Sequence, residues 1–371
     1  MALNKKTAIF HGNEHSGWEN IIARNPIGSI SLDLSDSSSL ILKFLDKYKG
    51  KFIVGFISYE FGTKKFIPPV CETRKRIPAV CFRAYDDFDI CKNKKNLSKK
   101  IKSKPFTLNI NKGEYYRNFK KIKKYIQKGE FYQINYTNYF KSVQFAEPEE
   151  MFWFYRLRNN VGYSTFIEGD DWSIISLSPE QFIKIEEGII TTRPIKGTIK
   201  RLPKSKNSDR EIRNLLNSEK EQAELYMIID LMRNDLGKIC KTGSVKVVKK
   251  RSLQKLESVF HTYGLVKGEL KNNLAPIEAL LAMIPGGSIS GCPKKRACEI
   301  IFELEGEPRG IYTGTIGYIL PSGVLQFNIA IRTIVNHGSD LFLGVGSGIT
   351  VDSQMDEEYK ELFAKVASFQ P

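Results

Sequence analysis

The stretch Gly310–Gly348, GIYTGTIGYILPSGVLQFNIAIRTIVNHGSDLFLGVGSG, decides the architecture. It holds strand-forming runs at Gly310–Leu320 and Leu325–Val335, rich in β-branched and aromatic residues, and a third at Asp340–Gly348 that ends in glycines. A helix from about Asp356 to Phe369 follows. Upstream, Phe52–Tyr59, Phe131–Phe140, Trp172–Leu177, Phe182–Ile185, Thr191–Thr198, Ser244–Val248 and His261–Leu270 read as strands. Tyr115–Lys128 (closed by Gly129), Asp209–Leu236 (closed by Gly237), Pro276–Met283 and a segment ending at Leu304 read as helices. Strand so often adjoins strand that the class is α+β with antiparallel sheets, not a doubly wound parallel sheet.

Composition narrows the function. The 371 residues are 41% hydrophobic and 26% charged, enough apolar mass for a sizeable core. No run approaches the eighteen or so apolar residues of a membrane span, and Met1–Phe10 lacks the pattern of a secretory signal. Collagen-like, coiled-coil, membrane-spanning and wholly disordered readings are excluded. The net charge of +16 permits a polyanion or an acidic small substrate. Its lysine runs, Lys92–Lys104 and Lys120–Lys128, lack interleaved arginine and hold one aromatic, Tyr125, so they read as solvated surface, with Asp86–Lys104 a linker or long loop. No nucleic-acid motif is present, and no nucleic acid or membrane partner is expected. Six cysteines at 71, 81, 91, 240, 292 and 298 show no CxxC spacing, which suits reduced thiols in the cytoplasm. Gly12 and Asn13 argue against a helix that would aim His11 and His15 at one ion.

Three constellations could carry chemistry. Glu221 and Glu224 lie three residues apart on one side of a helix, and Glu358 and Glu361 repeat the spacing. Carboxylates suit a hard cation such as Mg2+, so two such ridges face to face would make a metal site; from spacing alone each reads first as an ordinary solvated face. The glycine clusters Gly344–Gly348 and Pro285–Ser288 offer backbone N–H groups to a carboxylate or phosphate, or simply turn the chain. Neither matches a nucleotide-binding fingerprint. Lys196, at the tip of a strand beside Gly197, becomes a nucleophile if a desolvated pocket strips its proton, and is otherwise a surface lysine.

Taken together, these segments resemble the chorismate-utilising enzymes, the family of anthranilate synthase component I and aminodeoxychorismate synthase component I. The resemblance rests on nine stretches in family order: Gly129–Asn135, Ser178–Phe182, Arg193–Thr198, Ser218–Gly237, Pro285–Lys294, Tyr312–Gly317, Ile329–Thr333, Gly344–Ser353 and Glu358–Ala367. It implies large antiparallel sheets packed as a sandwich with helices outside. Within it, residues 1–105 form a strand-rich subdomain and 106–371 the chorismate-binding catalytic region. The resemblance also implies that anthranilate synthases carry alanine where Lys196 stands, whereas aminodeoxychorismate synthases carry lysine.

The implied roles follow residue by residue. Lys196 adds to the substrate ring, Glu180 protonates the departing hydroxyl and His261 lies near that oxygen. Mg2+ is held by Glu221, Glu224, Glu358 and Glu361 and grips the ring carboxylate, which backbone amides of Gly346, Ser347 and Gly348 share. Arg332 and Tyr312 hold the enolpyruvyl carboxylate, Thr198 and Ser288 are pocket hydroxyls, and Lys365 supports the metal end. Ammonia comes from a separate glutamine amidotransferase subunit or from solution. Competing expectations are anthranilate or isochorismate formation, and, from charge alone, a basic nucleic-acid-binding protein.

Overall fold

The computed structural model describes residues 6–13, 17–68, 77–91, 101, 103–200, 208–255 and 259–370. His15, Cys71 and residues 92–100 of the lysine-rich stretch fall outside them, as does the side chain of Thr198. Two ten-stranded sheets, antiparallel throughout, make up the body of the described chain. One runs Gly291–Cys292, Gln133–Val143, Asp340–Ile349, Thr333–His337, Trp172–Ser178, Tyr163–Glu168, Ala8–His11, Ile21–Ala23, Asp89–Ile90, with Thr107–Leu108 beside Gln133–Val143. The other runs Ile195–Lys200, Val259–Glu269, Ile189–Arg193, Gln181–Glu186, Leu325–Ile329, Thr315–Ile319, Phe52–Ile57, Val80–Tyr85, Gly28–Leu32, with Lys246–Lys255 beside Val259–Glu269.

The sheets share a core. Phe10, Tyr163 and Ile174 from the first pack with Phe52, Val54, Phe56, Ile316 and Tyr318 from the second. The helices Pro148–Arg158, Lys294–Glu305 and Met355–Val366 lie on the first sheet, and Glu219–Ile239 on the second. Residues before 105 contribute strands to both sheets: Ala8–His11 pairs with Tyr163–Glu168, and Phe52–Ile57 with Thr315–Ile319. No helix among the described residues is long and apolar enough to cross a membrane.

Two departures from the sequence reading have local causes. The helix expected at Asp209–Leu236 is two, Ser208–Asn217 and Glu219–Ile239. Ser218 is extended and its hydroxyl accepts the Glu221 N–H, so it starts a new helix instead of continuing the old one. That helix runs through Gly237 to Ile239, because nothing there requires the left-handed backbone that makes glycine a stop. The strand expected to end at Val248 continues to Lys255. It pairs on one side only, and edge strands tolerate lysine and arginine that a central strand would reject.

The chain passes between the sheets at two adjacent corners. Trp172–Ser178 leads through Pro179 and Glu180 into Gln181–Glu186, and Leu325–Ile329 leads through Ala330–Arg332 into Thr333–His337. The corners are tied to each other: Leu177 N–H donates to the Arg332 carbonyl (3.0 Å) and Ile329 N–H to the Glu180 carbonyl (3.2 Å). Arg332 makes its turn with φ +51°, a conformation that costs a non-glycine residue about 1–3 kcal/mol.

Candidate active site

Glu180 and Arg332 each sit on one of these backbone-tied corners. Glu180 is only 8% exposed, and Ser288 of the short turn Gly287–Ile289 donates its hydroxyl to Glu180 Oε1 at 3.2 Å. Burial lifts the Glu180 carboxyl from 4.5 to about 7, against the opposing pull of the Lys196 charge and the Ser288 hydrogen bond. A carboxylic acid poised there can give up a proton at neutral pH. His261 is buried, and that burial, with the nearby guanidinium groups of Arg332 and Arg193, holds its imidazole down at about 4. It is therefore uncharged at neutral pH. No carboxylate among the described residues pairs with Arg332, whose planar cation remains available to an anion.

Lys196 comes in from the edge strand Ile195–Lys200. That strand pairs with Val259–Glu269, and the register slips between Lys196 and Thr198. Gly197 sits in the slip with φ +67°; a Cβ there would come within 2.7 Å of Leu215 Cδ1. Such a bulge re-aims the neighbouring side chain. Lys196 Nζ lies 3.4 Å from Glu224 Oε2, with the two side chains 20% and 18% exposed, and a Cβ built on Gly348 would lie 3.7 Å from it. The ammonium thus points toward the glycine strand of the first sheet and not into bulk water.

The glycine strand closes the site. Asp340–Ile349 pairs along its length with Gln133–Val143, whereas its other neighbour, Thr333–His337, reaches only to Leu343. Past Leu343, alternate N–H groups face an open edge. The expectation that Gly346, Ser347 and Gly348 all offer amides to one carboxylate is thereby narrowed, since successive amides of a strand point to opposite edges. The same alternation turns the Ser347 hydroxyl away from Gly346 and Gly348. Tyr312 lies against Gly344, where a Cβ would fall 2.1 Å from the ring, and burial raises its hydroxyl so that it stays protonated. Lys365 Nζ donates to the Gly346 carbonyl and pairs with Glu361 Oε1, both at 2.7 Å. Glu358 is buried and accepts from Ser353 Oγ at 2.7 Å. Glu221 packs near Gly197, 3.1 Å from a Cβ placed there.

The structure therefore gathers Glu180, Lys196, His261, Ser288, Arg332 and the glycine strand. It does not assemble the four glutamates: no three metal-binding side chains converge among the described residues. Glu224 and Glu361 are instead each one lysine away from Gly346–Gly348. Two carboxylates are a donor set that would suit Mg2+, which takes one or two and keeps waters and substrate oxygens, and would not make a closed protein cage; here each is engaged by a lysine.

Two residues of the site were not singled out from sequence. Gln133 is buried, its Oε1 has no hydrogen-bond partner among the described residues, and its Nε2 would lie 2.5 Å from a Cβ on Gly348. Arg193 covers the Tyr263 ring at 3.9 Å and donates to Gln254. Both fall inside stretches that carried the resemblance, but only packing shows where they point.

Residues 8–371 match the family described as chorismate binding enzyme. The chain is 38% identical over 258 residues to aminodeoxychorismate synthase component 1 of Escherichia coli (strain K12), covering 70% of this chain and 57% of that protein. It is 39% identical over 257 residues to anthranilate synthase component 1 of Aquifex aeolicus, covering 69% and 52%. The matched region thus spans about half the length of these relatives. Anthranilate synthase component I from Streptococcus pneumoniae superposes with a TM-score of 0.81 at 26% identity, over 93% of this chain and 90% of that one. The fold also matches an isochorismate synthase from Bacillus anthracis, with a TM-score of 0.79 at 20% identity over 99% and 96%. A match over nearly the whole length, on a fold shared with its relatives, establishes that the chain belongs to the chorismate binding enzymes.

Proposed function

We propose that the chain is an aminodeoxychorismate synthase component 1, forming 4-amino-4-deoxychorismate from chorismate and ammonia supplied by a glutamine amidotransferase subunit. The observation that carries this reading is Lys196, held by its bulge in the same site as the poised acid Glu180. Arg332 and Tyr312 bind the enolpyruvyl carboxylate, Arg332 with two parallel N–H donors. Bound Mg2+, with Glu224 and Glu361 as ligands and Glu221 and Glu358 reached directly or through water, would supply positive charge for the ring carboxylate.

Lys196, as free amine, bonds through Nζ to ring carbon C2. Both double bonds of the diene shift, to C1–C6 and to C4–C5, the C4–oxygen bond breaks, and the hydroxyl leaves as water with the proton of Glu180. Neutral His261 orients that oxygen. Ammonia then bonds to C4, both double bonds shift back, and the C2–nitrogen bond breaks to restore Lys196. The new ammonium returns a proton to Glu180. Two displacements relayed through the conjugated diene thus place nitrogen where the hydroxyl was.

Incubating the purified chain with chorismate, Mg2+ and an ammonium salt, and analysing products by mass spectrometry, tests the proposal. An amino product that retains its enolpyruvyl group is expected. Release of pyruvate without a lyase would assign anthranilate formation, and an amine-free isomer isochorismate formation; either overturns the reading.

A further inference from the structure

The helix Lys112–Gln127 takes no part in the chemistry above, yet it grips the joint between the glycine strand and the helix Met355–Val366. Lys123 Nζ donates to three backbone carbonyls of that joint: Thr350 at 3.4 Å, Ser353 at 3.2 Å, and Val351. One ammonium with three donors thus satisfies three converging acceptors. Within the same turn, Ser353 Oγ accepts the Thr350 N–H at 3.1 Å and donates to Glu358 Oε1 at 2.7 Å. The gripping helix also reaches the first turn beyond the joint, where Lys112 pairs with Asp356 at 3.4 Å and Tyr116 donates to it.

We infer that Lys123 is a positioning residue. Through the Thr350–Ser353 turn and the Ser353 hydroxyl it holds the Glu358 carboxylate in the orientation that a divalent cation needs. This inference rests on the proposed Mg2+ site. The joint links Gly346–Gly348 to Glu358 and Glu361, so its geometry decides how far the acidic ridge stands from the glycine strand. Val351 is 61% exposed, so water can replace the lost donors when Lys123 is truncated. The fold then survives while the turn loosens. Removing a group that orients a metal ligand typically weakens the metal about 10- to 100-fold.

The test measures Mg2+ binding to the full chain by titration calorimetry, with Mn2+ binding followed by electron paramagnetic resonance as a second, activity-independent readout. Lys123→Met and Ser353→Ala should each weaken cation binding at least about tenfold. Lys123→Arg, which can still donate to the carbonyls, should recover most of it. In turnover with chorismate, the Mg2+ concentration needed for half-maximal rate should rise for Lys123→Met, with kcat at saturating Mg2+ changed far less. Circular dichroism checks folding, and Ser353→Ala carries the test if Lys123→Met does not fold. Wild-type cation affinity in a folded Lys123→Met or Ser353→Ala chain overturns the inference alone. Failure of the wild-type chain to bind either cation, with or without chorismate, overturns the metal site and the inference together.

Discussion

Replacing Glu180 with glutamine should stabilise the protein at alkaline pH while disabling it. The side chain is nearly the same size, and its Oε1 can still accept from Ser288, so packing is preserved. The charge cost disappears. In the folded chain burial raises the carboxyl from 4.5 to about 7, so the folded state holds its proton more tightly than the unfolded state. Below about pH 4.5 both states are protonated and the group is neutral to stability. Between 4.5 and 7 the unfolded chain ionises first, and stability falls as pH rises. Above 7 the full penalty applies, about 3 kcal/mol for a rise of this size. At roughly 2 cal/mol/K per residue over 371 residues, the unfolding entropy is on the order of 0.8 kcal/mol/K. The variant should therefore melt about 4 °C above wild type at pH 8 and together with it at pH 4. Differential scanning calorimetry across that range is the assay, with turnover expected to drop about 100-fold or more. A melting difference independent of pH, or lower at pH 8, would refute the claim that Glu180 is stored as a buried acid.

Two further outcomes test other parts of the site, and a third tests a buried ion pair of the fold, Arg309 with Glu305. Lys196→Ala should lower amine-forming turnover at least about 100-fold, while calorimetric binding of chorismate with Mg2+ persists; full activity would remove the nucleophile. Gly197→Ala forces an unfavourable backbone at φ +67° and a contact with Leu215, so it should cost about 1–2 kcal/mol in urea denaturation and also slow turnover by moving the bulge. Arg309→Met leaves Glu305 buried without the guanidinium that holds it through two hydrogen bonds of 2.8 and 2.7 Å, and should cost about 3–5 kcal/mol in the same assay.

Much of the site's composition was readable because chemistry there demands particular residue types close together along the chain. Lys196 beside Gly197, Glu180 after Ser178-Pro179, and the run Gly344–Gly348 each mark a local device: a bulge, a corner, an uncluttered strand. The break at Ser218 was missed because residues on both sides favour helix and a single hydroxyl cap decides the boundary. Lys123 was read as one of a run of solvated lysines, since its sequence neighbours are lysines and its carbonyl partners lie more than two hundred residues away. Gln133 escaped for the same reason: its meeting with Gly348 is made by strand pairing, not by spacing.

Periodicity and strand-after-strand order determined the α+β class, because side-chain alternation is a local property that the backbone repeats every second residue. What only the tertiary structure decided is which residues meet. The corners that hold Glu180 and Arg332, distant in sequence, become neighbours because two chain segments cross between the sheets side by side and bond to each other there. The acidity of Glu180 follows from that burial, and the same carboxyl in an exposed loop would be an ordinary anion. The glutamate pairs show the converse: each ridge is visible in the sequence, and so is the i,i+4 pairing of Glu361 with Lys365, but only packing between elements sets Lys196 against Glu224 and leaves the four acids unassembled.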